Sequence, residues 1–378
     1  MYELTKLLGK GAYTTVYKSK DSNDSVIALK IIKVPLKKCG VETWILRELE
    51  LLTTIKHKNI AETKKITIDK NIIYVEMEFV KLSLERIKSS LEMEHVIRYT
   101  YQLLSVINFL HSNNIAHRDI KPENILIDDD NIKLIDFNLS KKLIGKQQSP
   151  RVATLHYRAP EIISNIDYDP IQCDMWSIGC ILLEMLSGKT LFPDMTDKKV
   201  QRNQNIILSQ RKGSNSTYWN KFVRPEFLSD ENCKYLIDIV DCLIVPKNRM
   251  NTSEILNFPI FQNLHVEDNP IEVSLIIQVQ EKTLNMTEDN INKIKTLIRN
   301  ICCEYDRDDC CCYTENIVFR YLRNVELVPD INIVIMVCVS LIMKVIYGQY
   351  ISIKKLSKDK LIELEIDILK NINYTLTM

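Results

Sequence analysis

The stretch His117-Arg118-Asp119-Ile120-Lys121-Pro122-Glu123-Asn124 sets a carboxylate five residues before a carboxamide, with a lysine between them. A carboxylate can take a proton from a hydroxyl, and carboxylate and carboxamide oxygens suit a hard divalent cation. An ammonium is a point charge for phosphate. Earlier in the chain, Gly9-Lys10-Gly11-Ala12-Tyr13-Thr14-Thr15-Val16 opens with two glycines. Lacking a Cβ, glycine lets backbone come close to phosphate oxygens. Lys30 closes the apolar run Ile27-Ala28-Leu29, and a second carboxylate, Asp136, stands in Asp136-Phe137-Asn138.

The elements that must carry these residues are legible in outline. Residues 1 to about 80 alternate in strand fashion, with Val26-Ile27-Ala28-Leu29 and Ile72-Ile73-Tyr74-Val75 as apolar runs of strand length. One helical interruption, Thr43 to Ile55, carries Trp44, Ile45, Leu49, Leu51 and Leu52 at helical spacing. From about residue 83 the pattern turns mostly helical, and Cys173 to Leu186, apolar on most faces, predicts a core helix. The expected fold is therefore α+β, a small sheet lobe followed by a larger helical lobe. A polar break, His265-Val266-Glu267-Asp268-Asn269-Pro270, leads into a segment that reads as helical throughout. Thr287, Asp330 and Ser357 are candidate caps there, and the apolar stretch 331–346 is a candidate central helix.

Composition narrows the function classes. The net charge of +1 over 378 residues gives no basic footprint for nucleic acid, so none is expected as a partner. The longest apolar run, Ile331 to Met343, is too short to span a bilayer, and no membrane partner is expected. Met1-Tyr2-Glu3-Leu4 runs straight into a strand pattern rather than a signal peptide, so the protein is expected inside the cell, in cytoplasm or nucleus. Cys302, Cys303, Cys310, Cys311 and Cys312 cluster without zinc spacing and read as reduced thiols on helix faces.

Taken in order, these motifs resemble those of a protein kinase catalytic domain over residues 1–262, with 263–287 as a linker. The resemblance implies a bilobal kinase fold using ATP and Mg2+. It makes Asp119 the acceptor of the substrate hydroxyl proton, and Asn124 and Asp136 the magnesium ligands. Lys30 would reach the α- and β-phosphates and pair with Glu48, while Lys121 would sit by the γ-phosphate. Leu8, Gly9, Lys10, Gly11, Val16 and Ala28 would surround the nucleotide. Met77 would be the gatekeeper, and Glu78, Phe79 and Val80 the hinge. Thr154 would buttress Asp119 and Lys121. The sequence departs from the family at Thr14, in place of its third glycine, and at Asn138, in place of the glycine of D-F-G. Asn tolerates positive φ better than other non-glycine residues, so the turn geometry is expected to survive.

Within that family the chain resembles cyclin-dependent kinases. Glu42-Thr43-Trp44-Ile45-Leu46-Arg47-Glu48-Leu49 is similar to their PSTAIRE helix, and Val152-Ala153-Thr154-Leu155-His156-Tyr157-Arg158-Ala159-Pro160-Glu161 to their V-V-T-L-W-Y-R-A-P-E segment. By that resemblance Arg158 holds a backbone carbonyl that would otherwise bond the residue after the target, so a proline there loses nothing. A Ser/Thr-Pro preference follows. Glu161 and Arg249 suit a buried ion pair, and Asp174 should anchor the catalytic loop. Ser149 falls where the family carries an activating phosphate, with Arg47, Arg118 and Lys141 around it. Tyr13 matches the family's inhibitory tyrosine.

Residues 288–378 have two readings. One is a plain helical appendage. The other is a single cyclin-like box: Phe319-Arg320-Tyr321-Leu322 and the helix Leu364 to Leu376 resemble cyclin motifs, and Lys344 and Glu365 match a lysine and glutamate that cyclins use against the kinase. A linker of roughly 25 residues could span about 25–30 Å as a flexible coil. Tethering would then supply a near-millimolar effective concentration, in cis or in trans. The expected function is a serine/threonine protein kinase of the cyclin-dependent class, possessing its own cyclin-like contact or using a separate cyclin. The rival from another class is an ATP-binding scaffold without turnover.

Overall fold

The computed structural model describes residues 2–35, 41–69, 71–143, 153–193, 196–211 and 216–264, single helical positions between 294 and 341, and residues 358–371. The chain divides into two compact units. One holds Met1–Ile55, Thr63–Phe79 and the described part of Val273–Met378; the other holds Lys56–Glu62 and Val80–Glu272.

The first unit is built on an antiparallel sheet of β1 (Glu3–Lys10), β2 (Thr14–Lys20), β3 (Val26–Lys33), β4 (Thr63–Asp69) and β5 (Ile72–Glu78), in the order β1-β2-β3-β5-β4. Asp21 makes the β2–β3 turn: its Oδ1 accepts from the N–H groups of Asn23 (2.8 Å) and Ser25 (2.9 Å), while Asp24 takes a left-handed φ of 65°. Helix α1 (Thr43–Thr54) buries Ile45, Leu49, Leu51 and Leu52, as their spacing predicts, and Leu46 beside them, while Trp44 of the same set is only half-buried. It stops one residue short of the predicted end because Ile55 is extended, its N–H closing the last turn on Leu51 O.

The helix Lys358–Asn371 belongs to this same unit. It buries Glu365, Ile366 and Ile368, and Asp367 Oδ2 accepts from Tyr321 Oη at 2.8 Å. Val334, Ile335, Val337, Cys338 and Leu341 are helical and fully buried, in keeping with an apolar central segment.

The second unit carries β6 (Leu82–Ser83), α2 (Leu84–Ile87), α3 (Met93–Ser112), β7 (Ile115–Ala116), β8 (Ile125–Asp128), β9 (Asn131–Leu134) and β10 (Lys141–Lys142). It continues with α4 (Pro160–Ile163), α5 (Pro170–Ser187), α6 (Asp197–Gln210), α7 (Glu231–Leu243) and α8 (Thr252–Leu256). Two small sheets, β6-β8-β9 and β10-β7, interrupt the helices. Helix α5 contains the predicted 173–186 core. Asp169 caps it through Ile171 N–H, Pro170 opens it, and Gly188 closes it at φ 73° with its N–H on Glu184 O. Gly179 lies where a Cβ would come within 2.8 Å of Leu243 Cβ, which allows α5 and α7 to approach closely.

Thr287, Asp330, Ser357, Lys344, Ser149 and the cysteines at 302, 303, 310, 311 and 312 lie outside the described residues. Among the described residues no helix is long and apolar enough to cross a membrane, and no group of His, Cys, Asp or Glu could hold a metal on its own.

The predicted Glu161–Arg249 pair forms, with Arg249 Nη1 and Nη2 donating to the two Glu161 oxygens at 2.6 and 3.0 Å. The Arg249 side chain is 1% exposed, so removing one partner leaves a buried charge. Glu161→Ala, which strands the Arg249 guanidinium, is expected to lower stability by about 3 kcal/mol in urea unfolding. A loss below about 1 kcal/mol would mean that solvent already screens the pair.

Candidate active site

In the first unit the strand register collects the predicted nucleotide residues. Gly9 pairs with Val16, Val16 with Lys30, and Ala28 with Met77, while Ile27 lies opposite Glu78. Ala28 and Lys30 are two apart on β3 and therefore share a face. The loop between β1 and β2 is closed by Gly11 N–H on Thr14 O at 2.7 Å. A Cβ at Gly11 would meet Thr14 Oγ1 at 2.8 Å, so this second glycine suits the loop as it stands. Leu8, Gly9, Lys10 and Gly11 are exposed.

Glu48 lies on the buried face of α1, 1% exposed, and forms an ion pair with Lys30, itself 6% exposed. Burying either charge alone would be costly, so the pair ties α1 to β3. Two features of α1 escaped the sequence reading. Trp44 is half-buried and stacks on Tyr13 at 6.2 Å between ring centroids. The N–H of Val41, just before α1, donates to Glu365 Oε2 at 2.6 Å, with both residues fully buried.

In the second unit the loop His117 to Asn124, the predicted catalytic loop, hangs from Asp174. Its Oδ2 accepts from His117 N–H and its Oδ1 from Arg118 N–H, both at 2.8 Å. This grip holds Arg118 at a φ of 67°, a left-handed value that a non-glycine residue keeps only when its neighbours impose it. His111, in the last turn of α3, adds its Nε2 to Asp174 Oδ2 at 3.0 Å. Burial pushes the His117 imidazole below its usual range. Its Nδ1 accepts from Asp119 N–H at 3.3 Å and its Nε2 faces Ile135 O at 3.2 Å, the pattern of a neutral ring protonated at Nε2.

Asp119, Lys121, Asn124 and Thr154 form one cluster. Asp119 Oδ1 accepts from the Thr154 hydroxyl (2.7 Å) and N–H (3.0 Å). Asp119 Oδ2 accepts from Lys121 Nζ (2.7 Å) and Asn124 Nδ2 (3.2 Å). Lys121 Nζ also reaches Thr154 Oγ1 at 3.0 Å. Burial alone would raise the Asp119 carboxyl, but the Lys121 charge and the Lys121 and Thr154 hydrogen bonds outweigh it and hold the group below the usual carboxylate range. Asn124 engages Asp119 through Nδ2, which leaves the oxygen of the same carboxamide to suit a hard cation. Asp136 takes a φ of 68° and follows Ile135, whose N–H is held by Asn124 O at 3.0 Å. The oxygens of Asn124 and Asp136 are the donor types magnesium prefers.

Asn138, in place of glycine, was expected to use a tolerated positive φ. The left-handed residue of Asp136-Phe137-Asn138 is Asp136 instead. The substitution therefore carries no backbone strain. What it does carry is a buried Oδ1 without a hydrogen-bond partner among the described residues.

Arg158 behaves as predicted. Its Nη2 and Nε donate to Ala153 O at 2.8 and 3.3 Å, and Ala153 itself is left-handed at φ 82°. Val80 is buried in this unit, whereas Met77 and Glu78 end β5 in the other.

The chain matches the family described as protein kinase domain over residues 2–261. The chain belongs to the protein kinase family. Among curated proteins, this kinase is 31% identical over 317 residues to CBL-interacting protein kinase 10 of Oryza sativa subsp. japonica, covering 79% of this chain and 67% of that protein. It is 36% identical over 295 residues to CBL-interacting serine/threonine-protein kinase 2 of Arabidopsis thaliana, covering 75% of this chain and 61% of that protein. It is a protein serine/threonine kinase, and kinases of this family use ATP with magnesium. Neither relative is named as a cyclin-dependent kinase.

Because the Asp119 carboxyl is held low, its ionised form persists as pH falls through the ordinary carboxylate range. The acid limb of kcat/KM is thus expected to lie below that range. Thr154→Val removes one of the stabilising hydrogen bonds and is expected to move the limb upward and lower kcat/KM roughly tenfold, a pH–rate profile being the check. An unmoved limb would show that Thr154 does not set the charge of Asp119.

Proposed function

We propose that this kinase transfers the γ-phosphate of Mg-ATP to serine or threonine followed by proline, as cyclin-dependent kinases do. In this reading Asp119 accepts the hydroxyl proton and Lys121 neutralises charge beside it. Lys30, oriented by Glu48, meets the α- and β-phosphates. Leu8, Gly9, Lys10, Gly11, Val16, Ala28, Met77, Glu78 and Val80 line the nucleotide. Asn124 and Asp136 would hold the magnesium ion, which neutralises developing phosphate charge.

The observation that carries the specificity is the Ala153 carbonyl. With Arg158 donating to it twice, that oxygen is already engaged and gives nothing to the N–H of the residue after the target. A buried N–H without an acceptor is costly, and proline has none. Ser-Pro peptides are therefore expected to exceed matched Ser-Ala peptides in kcat/KM by roughly tenfold or more, as the cost of one unsatisfied donor implies. Equal values would remove this reading.

The tail is proposed to act on α1 in place of a separate cyclin, as a cyclin-like element within the same chain. What supports this is the Glu365–Val41 bond, which sets a buried carboxylate at the start of the helix bearing Glu48. A negative group there also suits the helix dipole. Both relatives are named for interaction with CBL, so a separate regulatory protein is the competing arrangement. Glu365→Gln in the full chain, assayed without added protein, is expected to lower kcat roughly tenfold with little change in peptide KM. Unchanged kcat would leave the tail as an appendage.

A further inference from the structure

Arg158 can exclude a carbonyl only if its own guanidinium stays in place, and helix α6 supplies the means. Asp197, the first residue of α6, accepts from Arg158 Nη1 at 2.9 Å. Nη1 is the nitrogen not directed at Ala153, so the fork is held on one side by a carboxylate and on the other by the carbonyl it occupies. Gln204, fully buried, donates Nε2 to the backbone oxygen of Arg158 at 2.8 Å. Between them, Gln201 Nε2 donates to Ser164 Oγ at 3.0 Å, at the end of α4. Residues 197, 201 and 204 recur at i, i+4 and i+7 and so line one face of a helix. Val200 and Ile207 on that face are buried, which seats the helix where these side chains reach.

Among the described residues, the Arg158 guanidinium is held by the Ala153 carbonyl and by Asp197. Ala153 is left-handed, a conformation that a non-glycine residue keeps only when contacts impose it. A guanidinium with its outer nitrogen unpaired could turn toward solvent, since the Arg158 side chain is already 19% exposed.

We infer that Asp197, supported by Gln204, is a specificity-determining residue: it positions Arg158 against the Ala153 carbonyl and so sets the preference for proline after the target. This deepens the proline-directed reading above and rests on it. Neither residue touches the reacting groups, so their effect is on selectivity rather than on phosphate transfer itself.

The test compares full-length wild type, Asp197→Ala and Asp197→Asn on Ser-Pro and Ser-Ala peptides, with KM for ATP measured alongside and folding checked by thermal melting. Asp197→Ala is expected to lower the Ser-Pro to Ser-Ala ratio of kcat/KM roughly three- to fivefold, the scale of a partly exposed ion pair. Part of that change should be a gain on Ser-Ala, because the freed carbonyl can accept its N–H. Asp197→Asn keeps an acceptor oxygen and should fall between the two, and KM for ATP should not move. A wild type without proline preference would sink the parent reading. A wild type with the preference and variants with an unchanged ratio would overturn this inference alone. Equal loss on both peptides in a folded variant would also overturn it, since that marks a structural role.

Discussion

Asp174 is the fixed point of the catalytic loop. Its carboxylate is 1% exposed and receives two backbone N–H groups and a histidine nitrogen. Left-handed Arg118 depends on that grip, and the path of the chain into Asp119 depends on Arg118. From Asp119 the arrangement spreads outward. Thr154 and Lys121 close on its oxygens, Asn124 ties its side chain to the same carboxylate, and Ile135 leads from Asn124 to Asp136. The Asp119 cluster is thus assembled on a loop that one buried side chain from a core helix holds in shape.

The small unit has a parallel logic with a different anchor. Lys30 and Glu48 are both buried, so neither is stable without the other, and the pair couples strand β3 to helix α1. Whatever moves α1 therefore acts on Lys30. Glu365 reaches the start of that helix from a residue 324 positions away in sequence. A buried carboxylate held by a backbone N–H is a strong, charge-assisted contact, suited to fixing a helix rather than merely covering it.

Much of this was legible in the sequence, and for identifiable reasons. The strand and helix runs follow apolar periodicity, so α1 and α5 were found close to their observed bounds and β3 and β5 at their first residues, although both strands run on past the apolar stretches, to Lys33 and Glu78. The grouping of Thr154 with Asp119 and Lys121, the hold of Arg158 on a backbone carbonyl and the Glu161–Arg249 pair followed from the resemblance to kinases. What escaped was contact across long sequence separation between residues of unremarkable type. Nothing in a lone Asp197 or Gln204 points to Arg158, Trp44 gives no hint of Tyr13, and His111 carries no sign of Asp174. The misplaced positive φ shows a further limit. Sequence marks which residue tolerates a left-handed turn, but the fold decides which residue must adopt one, and Asp136 rather than Asn138 does so.

The most direct test is phosphate transfer by the purified full chain with Mg-ATP and a Ser-Pro peptide, no other protein present, beside Asp119→Asn. Transfer by the wild type, with turnover lost and nucleotide binding retained in the variant, is the expected result. Nucleotide binding by the wild type without transfer, before and after phosphorylation of the chain, would contradict it and leave a scaffold in place of an enzyme.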